Sequence, residues 1–291
     1  MQYTDKIYGK VELPSVIEEL IHTKVFQRLK RIHQGGVIIL TNPTLNHTRF
    51  DHSIGVMVLI QKLGGTIEEQ TAGLLHDISH TAFSHLVDYV FDNEEEDYHE
   101  KRYETVLKNK ELMMVLKKHG FSINQFFDLE QFKLLEYPLP YLSADRIDYT
   151  LRDLLQLQQI SKENINWFLD GLLVHEGRVV LKSKEYGEWF QTQYDYLVNE
   201  YFKGKENVEI NVIMKKIIQD CLAKEIIKES DFYQDDFYLL EKIRDSIDLD
   251  ARILEIKNQG LNINYVKTKS RSIDPEIILD NQVITLSAMK E

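Results

Sequence analysis

Cysteine is almost absent from this chain: Cys221 is the single sulfhydryl among 291 residues. No intramolecular disulfide can form, which suits a reducing compartment and a core without covalent staples. Five prolines and 13 glycines are too few for collagen-like or low-complexity classes. No apolar run approaches the roughly 20 residues of a membrane span, and Met1 to Lys10 lacks the apolar centre of a secretion signal. Basic residues are in the minority, with 35 Lys and Arg against 47 Asp and Glu, a net charge of -12. No strong nucleic-acid binding is expected from such a balance, and no membrane partner from the lack of an apolar span. An anionic small substrate stays open if basic residues line one pocket. What remains is a globular composition, 43% hydrophobic and 28% charged, with the cytoplasm as the default location. The length allows one large domain or one domain with an appended lobe.

What the chain does have is histidine, concentrated in one place. Six of its ten histidines fall between His47 and His99. The densest stretch, Ala72 to His85, sets His76 beside Asp77 and then His80 and His85, straight after an apolar helical run. An unpaired buried carboxylate is costly unless something compensates it. A divalent cation does so, because it accepts imidazole nitrogen and carboxylate oxygen together. His52, His76, Asp77 and Asp145 fall at different helix starts or ends, and one ion can draw them together with positions left for water and substrate. Singly, each has a plain reading: His52 as a capped histidine, Asp145 as an acid favoured by a helix dipole. Their joint occurrence is what points to metal.

Along the chain, residues 7–13 read as a short extended entry piece, and Pro14-Ser15 opens a helix whose apolar spacing runs from Ile17 to Ile32. Gly35-Gly36 stops it, and residues 37–40 read as a short buried strand or apolar loop. Thr48 or Asn46 caps a helix through Leu63, and residues 68–75 form the helix that delivers His76-Asp77. Further helices are expected over 103–107, over 112–127 with a break at Gly120, and over 141–153. Residues 172–181 read as a hairpin turning at Glu176-Gly177. Helices follow over 185–202, 212–227 and 253–261, and β-branched alternation over 262–287 predicts a small sheet. A soft boundary falls near residues 160–170.

The set His52, His76-Asp77, Asp145 resembles the signature of the HD-domain metal phosphohydrolases. The flanks Asn46-His-Thr-Arg-Phe-Asp-His-Ser-Ile-Gly-Val56, Gly73-Leu-Leu-His-Asp-Ile-Ser-His80, Phe83-Ser-His85 and Asp145-Arg-Ile-Asp-Tyr149 are similar to the deoxynucleoside triphosphate triphosphohydrolase branch. The resemblance covers residues 3–155 well and continues weakly through 189–201 and 265–286. It implies a mostly α fold: an HD-domain helical bundle over 1–165 and a small mixed α/β C-terminal lobe over 166–291 that completes the pocket and supplies oligomer contacts. It also implies one divalent metal ion (Mn, Fe, Co, Ni, Zn or Mg) on His52, His76, Asp77 and Asp145, with a second ion bridging substrate phosphates left open. His80 and His99 would be catalytic, with Asp88 orienting one of them. Arg49, His85, Arg146 and Tyr149 would contact phosphates, Asp153 would face the sugar, Gln34 would read its 3′ hydroxyl, and Tyr201 would pack beside it. The expected substrate is a nucleotide, most readily a dNTP cut to deoxynucleoside and tripolyphosphate, and the expected assembly is a homo-oligomer. A phosphomonoesterase or phosphodiesterase, or a non-catalytic nucleotide-binding regulator, stays open beside it. Two departures stand out. Gln193 occupies the position of an Arg that would reach the terminal phosphate, and His22 and Lys30 replace the Asp and Arg that read an activating guanine nucleotide.

Overall fold

The structure is a computed structural model that describes residues 1–260, 271–280 and 282–289. A hairpin of β1 (Gln2–Asp5) and β2 (Gly9–Glu12) leads into α1 (Ser15–Ile21) and α2 (Lys24–Gln27). The helical core follows as α3 (Arg49–Lys62), α4 (Ile67–Leu75), α5 (Leu86–Val90), α6 (Tyr103–Leu107), α7 (Lys110–Lys118), α8 (Ala144–Gln156) and α9 (Lys162–Asp170). The C-terminal half holds β3 (Leu172–His175), β4 (Arg178–Leu181), α10 (Lys184–Tyr196), α11 (Lys205–Ala223), α12 (Asp236–Arg244), α13 (Leu249–Asn258), β5 (Glu276–Leu279) and β6 (Gln282–Thr285). The protein is mostly α-helical with a small mixed region near its C-terminus.

Helix α3 is the axis. Its residues from His52 to Ile60 are all buried, the mark of a helix covered on every side. Thr48 starts it through a capping box: its hydroxyl accepts from the Asp51 backbone N–H at 3.4 Å, and its own N–H donates to Asp51 Oδ2 at 3.0 Å. Helices α4 and α8 both pack against it. Ser143 caps α8 by accepting from the Arg146 N–H at 3.3 Å, which puts Asp145 in the first turn.

The long helix expected from Ile17 to Ile32 is three pieces: α1, α2 and a 3-10 turn over Arg28–Arg31. Thr23 causes the first break. Its hydroxyl bonds the Leu20 carbonyl at 2.7 Å while its backbone turns extended, the local competition that Thr offers a helix. Residues 37–40 are neither strand nor loop but part of a 3-10 helix, Gly36–Leu40. Helices α9 and α12 went unread in the sequence.

The β3–β4 hairpin turns at Glu176-Gly177 as expected, both with positive φ. Strands β5 and β6 extend it into a four-stranded sheet of order β3-β4-β5-β6, with β4 and β5 parallel through Leu181 and Ile277. Of the sheet expected over 262–287, residues 262–270 and 281 lie outside the described residues. One continuous buried cluster runs from Ile7 to Leu286. Helix α11 packs on α5 and on the Gly36–Leu40 turn.

Candidate metal centre and active site

Three elements bring the four proposed ligands together: α3 carries His52, the end of α4 carries His76-Asp77, and the first turn of α8 carries Asp145. His52 Nε2 lies 3.3 Å from His76 Nε2, 3.0 Å from Asp145 Oδ1 and 3.6 Å from Asp77 Oδ2. His76 Nε2 is 3.5 Å from both Asp77 Oδ1 and Asp145 Oδ1. His52, His76 and Asp77 each offer a donor atom within 4.8 Å of the other two. Two imidazoles with two carboxylates suit a borderline divalent cation.

The hydrogen bonds behind these groups fit such a cation. His76 Nδ1 meets the Gly73 carbonyl at 2.7 Å, which can only accept, so the proton sits on Nδ1 and the Nε2 lone pair faces the site. His52 Nδ1 meets Asp148 Oδ2 at 2.8 Å and is oriented the same way. Two lone pairs aimed at each other across 3.3 Å repel unless a proton or a metal lies between. Without metal, protons take that place. Burial pushes His52 down, but the hydrogen bonds to Asp145 and Asp148 and the charge of Asp77 outweigh it and hold the imidazole up at about 10. Burial also opposes the charge on His76, and Asp77 and Asp145 again raise it. Asp77 is held well below the usual carboxylate range: burial alone would raise it, and Arg49, His76 and His80 overcome that.

Asp148 was not singled out as a site residue by sequence. It is fully buried and takes two bonds from Arg152, Nε to Oδ2 at 2.9 Å and Nη2 to Oδ1 at 2.8 Å. Arg152 reaches on to Asp5 Oδ2 at 3.2 Å, and Asp5 caps the N-terminal turn through the Ile7 and Tyr8 N–H groups at 2.6 and 2.9 Å. Gly55 makes room for the pair, since a Cβ there would sit 2.0 Å from Arg152 Nη2 and 2.1 Å from Asp148 Oδ1. The spacing His52–Gly55 on α3 facing Asp145–Asp148–Arg152 on α8 was the available signal, and it needs the pairing of the two helices to be read.

Beyond the ligands, His80 Nε2 lies 3.1 Å from Asp77 Oδ1. Its ring stacks on that of His99, centroids 3.8 Å apart and 16° from parallel, and His85 stands edge-on to both. Burial pushes His80 well down, helped by Arg49 and His99, and burial with the charge of His85 takes His99 down to about 3. Both are neutral at pH 7, and the Nδ1 atom of each is buried without a hydrogen-bond partner. Asp88, expected to orient His80 or His99, instead pairs with His85, Oδ2 to Nδ1 at 3.1 Å. Its other oxygen accepts from Asn93 Nδ2 at 2.6 Å and the Tyr98 N–H at 3.1 Å, so Asp88 fixes the approach to His99 through the backbone. A three-residue spacing put His85 in reach, but spacing alone does not rank it above the more distant histidines.

The loop joining α4 to α5 is strained. Phe83 and Ser84 have φ of 57° and 53°, a left-handed pair that costs on the order of 1–3 kcal/mol per residue. Distant groups hold it: Asp236 accepts from the Phe83 N–H at 2.6 Å, Phe232 O accepts from the Ala82 N–H at 2.8 Å, and Ser84 donates to His33 O at 2.7 Å. Gly36, φ 64°, passes so close that a Cβ would meet Phe83 O at 2.7 Å.

The expected substrate residues divide by what they touch. Arg49 is buried and committed to Asp77 Oδ2 at 2.7 Å and Ser84 Oγ at 2.9 Å. Arg146 is buried too and gives Nη1 to the carbonyls of Tyr137 and Tyr141 at 3.2 and 2.6 Å, bracing the turn before α8 rather than facing solvent. Tyr149 bonds Tyr194 through their hydroxyls at 3.2 Å. Asp153 lies 3.0 Å from His47 Nε2 at ion-pair distance without hydrogen-bond alignment. Tyr201 packs its hydroxyl against Gly35, next to Gln34, whose Oε1 is buried and unpartnered. Lys30 lies over the ring of Phe50 at 4.6 Å, and His22 is exposed.

Residues 49–141 match the family model described as HD domain. Over 301 aligned residues the chain is 41% identical to the uncharacterized protein YdhJ of Bacillus subtilis (strain 168), covering 100% of this chain and 93% of YdhJ. It is 41% identical over 163 residues to the metal-dependent phosphohydrolase cns2 of Cordyceps militaris, 55% of this chain and 47% of cns2. It is 38% identical over 104 residues to the deoxynucleoside triphosphate triphosphohydrolase SAMHD1 of Danio rerio, 31% of this chain and 17% of that protein. The chain thus spans less than half of cns2 and a small part of SAMHD1, but nearly all of YdhJ. The chain therefore carries an HD domain whose motif residues gather at one point, and a full-length relative at this identity makes it a member of one family with YdhJ.

Proposed function

We propose that the chain is a metal-dependent phosphohydrolase that hydrolyses a deoxynucleoside triphosphate to deoxynucleoside and tripolyphosphate. The observation that carries this reading is the His80–His99 stack, which touches the metal ligand Asp77 at 3.1 Å. It sets neutral, proton-accepting imidazoles beside a cation site, the pairing that phosphate-ester hydrolysis requires. The names of cns2 and SAMHD1 support the reaction class and, more narrowly, the substrate.

A divalent ion on His52, His76, Asp77 and Asp145 would neutralise phosphoryl oxygens and acidify a bound water. The protein's own groups supply the rest. His80 and His99 are kept neutral by burial and nearby cations, and the negative charge of a bound phosphate works in the opposite direction. Substrate therefore raises their proton affinity, so one of them takes a proton from water and hands it to the leaving oxygen. His85, half-exposed and fixed by Asp88, faces the same space and donates to phosphate. Gln34, with an unspent acceptor, and Asp153 and Tyr201 form the sugar side.

A second reading is a phosphomonoesterase or phosphodiesterase acting on another nucleotide. Gln193 in place of a cation favours it, as does the engagement of Arg49 and Arg146 with protein acceptors, since a triphosphate needs several cations. A nucleotide panel with the Mn2+-loaded protein, resolved by anion exchange, separates the two. Tripolyphosphate with free deoxynucleoside is expected; orthophosphate as the sole phosphorus product refutes the dNTP reading, and no turnover of any nucleotide refutes the hydrolase.

A further inference from the structure

A cavity of about 320 Å3 opens between α2, α6 and the α4–α5 loop. Arg28, Ser79, Arg102, Lys108 and Asn109 give it its polar wall, and Tyr233 gives it a ring. Three cations and no carboxylate line it, in a chain of net charge -12, so positive potential is focused there against the trend of the surface. The size lies at the small end of ligand cavities, about 300–1,000 Å3.

The cations are open to an anion in different degrees. Arg28 is held by the carbonyl oxygens of Gln234, Ile78 and His80 at 2.9, 3.0 and 2.8 Å. The acids acting on it, Asp235 and Asp236, are engaged with Arg31 and His33, each at 2.7 Å. Arg102 places its guanidinium carbon 3.5 Å from the centre of the Tyr233 ring. Lys108 shares its charge with Glu104 at 3.2 Å. Two wall groups carry unspent hydrogen-bonding capacity: Ser79 Oγ and Arg102 Nε are both buried without a partner. An anionic oxygen in the cavity, met by a small side-chain rotation, would give either atom its missing partner, and a buried polar atom gains most from such a partner.

We propose that this cavity is an anion site separate from the metal centre. It takes the phosphate of a small phosphorylated compound, of sugar phosphate or nucleoside monophosphate size, and transmits its occupancy to His80 through Ser79 and Arg28. The route is short. Ser79 precedes His80, and Arg28 grips the carbonyls on both sides of Ser79, so any shift of the guanidinium toward an anion moves the segment carrying His80. Binding here is defined without turnover, so it stands or falls independently of the dNTP reading.

The test is calorimetric titration of the Mn2+-loaded protein with ribose 5-phosphate at low salt, with orthophosphate as a parallel probe. One binding event per chain is expected, weakened at least tenfold by Arg102→Gln and by Lys108→Glu, and retained in Asp77→Ala. Ribose 5-phosphate binding more tightly than orthophosphate assigns the cavity to the whole compound, and equal binding assigns it to the phosphate group. Amide hydrogen exchange at residues 78–80 slows on binding. The proposal is overturned if neither probe binds, or if binding disappears in Asp77→Ala and survives in both cavity variants. Unchanged exchange at 78–80 with binding intact overturns the link to His80.

Discussion

Gly55→Ala is the sharpest test of how the metal centre is held. In a solvent-facing helix the change would stabilise, because Ala is favoured over Gly by about 0.5–1 kcal/mol. In α3 the new methyl would sit 2.0 Å from Arg152 Nη2 and 2.1 Å from Asp148 Oδ1, whereas carbon contacts settle at about 3.5–4.0 Å. Neither partner can retreat freely, since both are buried and Arg152 is also tied to Asp5. Overpacking of this kind costs about 1–3 kcal/mol, and prising apart a buried ion pair approaches the ~3–5 kcal/mol of losing one member. Net of helix propensity, about 2 kcal/mol of destabilisation is expected, a fall in Tm of about 5 °C for a chain of this size. Because Asp148 orients His52, metal affinity should fall about 10–100-fold as well. Scanning calorimetry and Mn2+ titration measure the two effects. Gly187→Ala in α10, whose added methyl meets only side-chain carbons, Ile277 Cδ1 at 3.2 Å and Leu286 Cδ1 at 3.5 Å, is the control and should lower neither stability nor metal affinity. A Gly55→Ala protein as stable as its parent and equally avid for metal would refute the account.

Asp77→Ala should abolish both bound metal and turnover, checked by elemental analysis beside product assay. His99→Ala should keep its metal and slow the chemical step by about 100- to 10,000-fold, the usual contribution of an acid or base; single-turnover rates with matched metal content decide it. The metal-free protein should be most stable near neutrality. His99 is depressed to about 3 from 6.5, so its contribution is intact above 6.5 and lost as pH falls toward 3. His52 is raised to about 10 from 6.5, so its contribution is intact below 6.5 and lost as pH rises toward 10. Each limb slopes by up to about 1.4 kcal/mol per pH unit. Metal replaces the His52 proton and should flatten the alkaline limb, which melting curves at pH 7 and 9 with and without chelator will show. Added GTP should not raise turnover many-fold, because His22 and Lys30 supply neither the acid nor the guanidinium of a guanine-reading pair; steady-state rates with and without GTP test this.

The parts of the molecule that were legible in the sequence are those set by local rules. Thr48, one of two candidate caps beside Asn46, announced the start of α3, Glu176-Gly177 announced the hairpin, and the His-Asp doublet with its spaced partners announced one shared point. What was illegible depends on contacts between distant segments. Thr23 splits a helix whose apolar spacing continues past it. Residues 37–40 look strand-like but coil into a 3-10 helix whose first residue, Gly36, is pressed against the Phe83 carbonyl. The Asp5–Arg152–Asp148–His52 chain spans 148 positions of sequence, and nothing at any one position marks it as part of the site. Asp88 had several histidines within plausible reach, and only the turn after the loop selects His85.

The clamp on Phe83 and Ser84 has an evolutionary corollary. Two residues in an unfavourable backbone state beside the reaction centre are tolerable only while Phe232 and Asp236, about 150 positions downstream, keep their grip. Drift in the stretch from Glu229 to Asp236 is therefore yoked to drift in the histidine loop. Relatives that have remodelled this distal stretch should carry a compensating change near position 83, a glycine being the simplest.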